Sequence, residues 1–246
     1  MHENMVRAPD CYHTWSWNSS SEVSSLSCTE IIILSKACVE SLLYSLTTRS
    51  KAVLYLQISM SVPPGTVAML LRCCPCLINL ALHGGGNSLC WFHVILNALN
   101  NLTYLRFLSV NPALFFQTCF VYLLDTSVFH CVMHLDLTTH WALDTITSGF
   151  QHLSHLTHLS MMWKMSHMVT YSLMALLQCQ NFKLILLWLD DINGQPRVIR
   201  DLLKWRLDDS QIVLLRQASN WSMELSGNFW LHAECIVAWH ERNNSK

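Results

Sequence analysis

Leu77-Ile78-Asn79-Leu80-Ala81-Leu82-His83 and, further on, His134-Leu135-Asp136-Leu137-Thr138 alternate leucine with polar or small residues. Side chains of a strand point to opposite faces in turn, so this spacing predicts strands with leucines on one face and polar residues on the other. Working outward from the first stretch, the pattern apolar, two residues, apolar, one residue, apolar recurs along the chain. It reads Val53-x-x-Leu56-x-Ile58, Leu77-x-x-Leu80-x-Leu82, Leu102-x-x-Leu105-x-Phe107, Val132-x-x-Leu135-x-Leu137, Leu156-x-x-Leu159-x-Met161 and Phe182-x-x-Ile185-x-Leu187. A weaker seventh copy, Ile212-x-Leu214, has Asp209 in its first slot. The middle positions 56, 80, 105, 135, 159, 185 and 212 are separated by 24, 25, 30, 24, 26 and 27 residues. A period in this range signals a repeat architecture with one structural unit per copy.

Helical spacing lies between the copies, at Thr66 to Arg72, Leu89 to Leu99, Val169 to Gln178 and Val198 to Trp205. Strands joined through such crossovers must run parallel. A doubly wound sheet buries both faces of its strands and makes them apolar throughout. Here several strands alternate, so one face is expected to be wet. The predicted fold is therefore an α/β, leucine-rich-repeat-like, right-handed solenoid with its parallel sheet on the concave side and helices on the convex side. The expected organisation is a lead-in segment over 1–29, the irregular solenoid over 30–219 and a C-terminal capping segment with a helix over 220–246. One strand departs from alternation, because Lys183-Leu184-Ile185-Leu186-Leu187-Trp188-Leu189 is apolar on both faces. Its second face needs a cover, expected from Trp221, Phe229, Trp230 and the helix from Asn228. The Asn or Cys that usually bonds the turn after each strand is absent, with Gly85, Val110, His140 and Lys164 in its place. These turns must find other partners for their backbone groups.

Charged residues make up 13% of the 246, 52% are hydrophobic and ten are Trp. The formal net charge of −1 provides no field to attract nucleic acid or anionic lipid, so neither is an expected partner. Eleven cysteines, an odd number set mostly among apolar neighbours, suit buried thiols in a reducing compartment. The start, Met1-His2-Glu3-Asn4-Met5-Val6-Arg7, lacks the apolar core of a signal peptide. An intracellular, cytoplasmic or nuclear location is expected, and the N-x-S/T triplets at Asn18, Asn101 and Asn220 are then without consequence. The most apolar stretch, Leu105 to Phe129, is interrupted by Asn111, Pro112, Gln117 and Asp125, short of the roughly 20 clean residues a span requires.

The chain resembles the fungal F-box-associated leucine-rich-repeat-like proteins. The resemblance rests on Cys11-Tyr12-His13-Thr14, on Ser59-Met60-Ser61-Val62-Pro63-Pro64, on Leu71-Arg72-Cys73-Cys74-Pro75-Cys76-Leu77 and on His155-Leu156-Thr157-His158-Leu159. Towards the end it adds Asp208-Asp209-Ser210-Gln211-Ile212-Val213-Leu214-Leu215, Trp221 and Gly227-Asn228-Phe229-Trp230. It implies target recognition related to ubiquitin-ligase receptors, in which an F-box docks the ligase adaptor and the repeats hold a target. This chain begins after the place of an F-box, so an adaptor contact is not expected of it.

The expected function is thus a protein-interaction module, not an enzyme, with no cofactor and no metal. The slots flanking the middle leucines give Tyr55, Asn79, Tyr104, Arg106, His134, Asp136 and His158 as the partner-binding residues, a mixture of aromatic, Arg and hydrogen-bonding side chains suited to contact. Two alternatives stand beside it. His134 and His158 share a slot on neighbouring strands with Asp136 two residues along, and two His with a carboxylate is a metal constellation open to a metal-dependent enzyme. Low charge with many Trp and Cys also fits a decayed or truncated family member. Other motifs are discounted. Cys73-Cys74-Pro75-Cys76 has no second pair at zinc-finger distance and is expected to bury its thiols at a helix end. His83-Gly84-Gly85-Gly86 lacks any Gly-x-Ser-x-Gly partner, and Asp190-Asp191 and Asp208-Asp209 read as solvated turns.

Overall fold

The computed structural model describes residues 30–33, 53–59, 62–83, 90–111, 127–138, 150, 153–163, 173–174, 176–179, 181–189, 211–216 and 228–244. Eight strands form one open sheet in the order β1 to β8, each hydrogen-bonded to its sequence neighbour. They are β1 Glu30–Ile33, β2 Tyr55–Ser59, β3 Asn79–His83, β4 Phe107–Val110, β5 His134–Leu137, β6 His158–Trp163, β7 Leu184–Leu189 and β8 Ile212–Arg216. All seven pairings are parallel. The described helices are α1 Pro64–Cys73, α2 Cys90–Leu99 and α3 Asn228–Asn244. The glycine turn from Gly84, both acidic pairs, Trp221 and the helix expected over Val198 to Trp205 lie outside the described residues.

A recurring local device leads the chain into its strands. Cys74 N–H donates to Leu71 C=O and Leu77 N–H to Cys74 C=O, a pair of successive three-residue turns. The same pair is built by Leu99, Leu102 and Leu105, by Phe150, Leu153 and Leu156, and by Leu176, Cys179 and Phe182. At three residues per turn every third side chain falls on one side. That explains why the apolar residues recur by threes, and all of these except the half-buried Cys179 are buried. The carbonyl just before a strand then accepts two N–H groups from the next repeat. Leu54, Ile78, Arg106, Met133 and Thr157 each do so.

This device corrects the third repeat. Leu80 pairs with Leu108, and Leu108 with Leu135, so the central residue of β4 is Leu108 and not Leu105. Leu99, Leu102, Leu105 and Leu108 are three apart, so the pattern fits equally well at two registers. The strand goes where period-two alternation follows, at Leu108-Ser109-Val110. Val110 accordingly lies inside β4 and not in a turn beyond it. Central positions 56, 80, 108, 135, 159, 185 and 212 are now 24, 28, 27, 24, 26 and 27 apart.

The face carrying these central residues packs into the main core with Val67, Leu70 and Leu71 of α1 and Ile95, Ala98 and Leu99 of α2. Pro64 fits the first turn of α1, where a missing N–H leaves no bond unmade. The opposite face is not wet at its centre, contrary to the alternation pattern. Trp230 and Ala233 of α3 join Met162, Leu184, Leu186, Trp188 and Val213 in a second apolar cluster, with Phe229 packed against it. Strand β7 is buried at all six positions. Its apolar residues demand burial on both sides, and α3 supplies it on the second.

Candidate functional site

Two rows of side chains cross the second face of the sheet, set by the register. The first runs Tyr55, Asn79, Phe107, His134, His158, Leu184, and the second Gln57, Ala81, Ser109, Asp136, Ser160, Leu186. Of the seven residues expected to form a partner surface, Tyr55, Asn79, His134, Asp136 and His158 occupy these rows. Tyr104 and Arg106 do not. The shift of β4 moves both into the turn before it, and Phe107 and Ser109 take their slots. Tyr104 is 60% exposed there. The Arg106 guanidinium donates from Nη1 to the carbonyls of Thr103, Leu105 and Cys131 at 3.4, 3.2 and 3.1 Å, so it ties two turns together. Asn79, Asp136 and His158 are each only 6% exposed, which removes them from any open surface.

In the first row the rings stack. Phe107 lies 4.1 Å from His134 with 19° between planes, and His134 lies 4.1 Å from His158 with 15°. Trp230 of α3 meets both imidazoles edge-on, at 5.3 and 5.6 Å. Neighbouring parallel strands are about 4.8 Å apart, close to the spacing of stacked rings, so identical slots make a ladder. Burial pushes His134 down to about 3, with His158 beside it acting in the same direction. Its Nδ1 is buried without a hydrogen-bond partner among the described residues. For His158 burial likewise dominates and lowers the pKa, opposed by the charge and hydrogen bond of Glu234, with Lys183 adding to the lowering. Both rings are therefore neutral near pH 7.

Glu234 comes from α3 and was not foreseen. Its Oε1 sits 3.0 Å from His158 Nε2, and Thr157 Oγ1 is 2.7 Å from His158 Nδ1. A neutral ring that donates from Nε2 to the carboxylate accepts at Nδ1 from the Thr157 hydroxyl. The signal available for Glu234 was its position four residues after Trp230, which places both on one side of a helix.

The second row is a buried hydrogen-bond chain. Ser109 donates to Asp136 Oδ2 at 2.7 Å, Ser160 donates to Asp136 Oδ1 at 2.6 Å, and the Trp188 indole N–H donates to Ser160 Oγ at 2.7 Å. Burial raises the Asp136 pKa, and the two serine hydroxyls partly offset this. With both oxygens engaged by serines, Asp136 does not join His134 and His158, and the trio read from the slots is not assembled. Among the described residues, His134, His158 and Glu234 form the group whose potential ligand atoms all lie within 4.8 Å of one another.

Towards β2 and β3 the rows hold buried polar atoms without partners among the described residues: both ends of the Gln57 amide and Oδ1 of Asn79. Asn79 lines a cavity of about 30 Å³ shared with Phe107, Ser109, His134 and Trp230. Of the cysteine cluster only Cys74 is buried; Cys73 and Cys76 are exposed, because the three lie on different sides of the turn that ends α1. No helix among the described residues is long and apolar enough to cross a membrane. No family model, curated protein or solved structure matches the chain.

Proposed function

We propose that the chain is a leucine-rich-repeat-like, right-handed solenoid that holds a protein partner inside the cell, as a target-binding module related to fungal ubiquitin-ligase receptors. The observation that carries this reading is the strictly sequential order of eight parallel strands, one per repeat of 24 to 28 residues where the central positions align. Each repeat contacts its neighbours, so the stack extends in one direction and offers long surfaces for contact rather than one enclosed pocket. A net charge of −1 favours a protein partner over nucleic acid.

Because α3 covers the second face over β5 to β8, the contact surface in this reading is the rim where the chain enters its strands. Tyr104 and Met133 are exposed large hydrophobics at that rim, Lys183 is exposed in the corresponding place before β7, and Tyr55 and Arg106 are half-buried beside it. Aromatic, Met and Arg side chains are the types enriched at interfaces. Affinity capture from cell extract with the intact chain and with a Tyr104→Ala, Met133→Ala double variant tests the reading. A partner retained by the first and lost from the second is the expected result, and identical partners on both would refute the rim.

A further inference from the structure

We propose that His134, His158 and Glu234 bind one divalent transition-metal ion of the zinc class, and that this ion ties α3 to the sheet. The three residues come from two adjacent strands and the helix laid across them, and their ligand atoms fall within 4.8 Å of one another. Two imidazoles and one carboxylate form a donor set that zinc takes with a fourth position left for water. The histidines are neighbours by register, which fixes their backbones side by side. Glu234 is fixed by its own helix, because Trp230 and Ala233 on the same side are buried against the sheet.

Two further observations support a ligand here. His134 Nδ1 is buried and has no hydrogen-bond partner among the described residues, so it keeps a free lone pair or N–H next to the carboxylate-bearing helix. His158 already has the outer partner that a metal-bound imidazole needs, since Thr157 Oγ1 lies 2.7 Å from its Nδ1 and leaves Nε2 directed at Glu234. Loading moves the His158 Nε2 proton to Nδ1, which then donates to Thr157 Oγ1, while the Thr157 hydroxyl turns its own proton to the Met133 carbonyl. At zinc–ligand bonds of 2.0–2.1 Å, tetrahedral ligands lie about 3.4 Å apart. The stacked rings lie in nearly parallel planes, 15° apart, so in-plane lone pairs of the two cannot meet at one ion unless a ring turns. Loading therefore turns His134 out of its stack on Phe107 by rotation about its Cβ–Cγ bond, which draws the three atoms together. Asp136 takes no part, held by Ser109 and Ser160.

Zinc titration of the chelator-treated full chain, followed by calorimetry, tests the site, with cobalt as a spectroscopic probe. One ion per chain is expected, with cobalt bands of nitrogen and oxygen ligation. Glu234→Gln, at a position 48% exposed, is expected to preserve the fold and weaken binding at least tenfold. His134→Phe extends the aromatic ladder and is expected to abolish binding while the protein stays folded. His155→Ala, at an exposed turn residue, is expected to change nothing. Hydrogen exchange in α3 is expected to slow when zinc is added. The proposal is overturned by absence of binding, by equal affinity in Glu234→Gln and the unaltered chain, or by thiolate bands showing that cysteines hold the ion.

Discussion

Cys73, Cys74 and Cys76 stand almost adjacent in sequence but in different surroundings. Burial pushes the Cys74 thiol up to about 12, helped by the neighbouring Cys73 and Cys76, while those two are exposed. Since the thiolate is the reactive species, Cys74 is expected to resist alkylation at pH 8 in the folded chain. Mass spectrometry after brief treatment with a maleimide is expected to find Cys73 and Cys76 modified and Cys74 untouched; early labelling of Cys74 would contradict its burial. Gln57 presents the opposite situation. It is 1% exposed, and neither end of its amide has a partner among the described residues. An unsatisfied buried polar group costs about 1–3 kcal/mol, whereas an apolar group of similar shape removes that penalty. Gln57→Leu is expected to raise the midpoint of urea unfolding, and a large drop would show that the amide is bonded. Asp136→Ala acts the other way. It strips Ser109 and Ser160 of their acceptor, and hydrogen bonds to charged groups contribute about 1.5–3 kcal/mol each. Release of a buried charge offsets part of that loss, so a net destabilisation of about 2 kcal/mol is expected in the same measurement.

Elements were legible where one spacing had one interpretation. Leu56, Leu80, Leu135, Leu159, Ile185 and Ile212 are all strand-centre positions, and each was readable because polar or small residues flank it or the apolar run is bounded. Strand β4 was not readable, because a run of leucines three apart satisfies the repeat at Leu105 and at Leu108 alike. What chooses between them is the pair of tight turns ahead of the strand, and a hydrogen-bond pattern leaves no mark in composition. Strand β1 was missed for a related reason: Cys28-x-x-Ile31-x-Ile33 meets the pattern, but Ile32 hides the alternation. Helix α3 was expected from Asn228 with Phe229 and Trp230 in the cover, and Ala233, Ile236 and Val237 continue that side at helical spacing, packed on the second cluster. What was not legible is that Glu234, half-exposed at the edge of that side, reaches His158 on the sheet. Trp230→Ala is expected to destabilise by about 3–5 kcal/mol, as truncation of a large buried aromatic does. Trp239→Ala, at a site 59% exposed, is expected to change stability by less than about 0.5 kcal/mol. Similar losses for both variants in denaturant titrations would mean that the helix is turned the other way.

At the scale of the whole molecule the sheet has two unequal faces, and the unequal part is at its C-terminal end. The leucine face is covered along the stack by local units such as α1 and α2, each belonging to the repeat it covers. The second face carries buried polar residues on β2, β3, β5 and β6, and β7 and β8 add Leu184, Leu186, Trp188 and Val213, all 5% exposed or less. Those four are shielded by α3, the last element described. Burying each such side chain contributes about 1.5–3 kcal/mol, against a total stability of about 5–15 kcal/mol for an ordinary domain. Removing residues 228–246 is thus expected both to destabilise the last repeats and to expose a contiguous apolar patch that drives association. The truncated chain is expected to enter the insoluble fraction on expression, whereas the full chain carrying Trp239→Ala stays soluble. The comparison separates loss of the cover from loss of an exposed tryptophan. A truncated chain that is soluble, monomeric and cooperative in unfolding would show that β7 is covered by something other than α3.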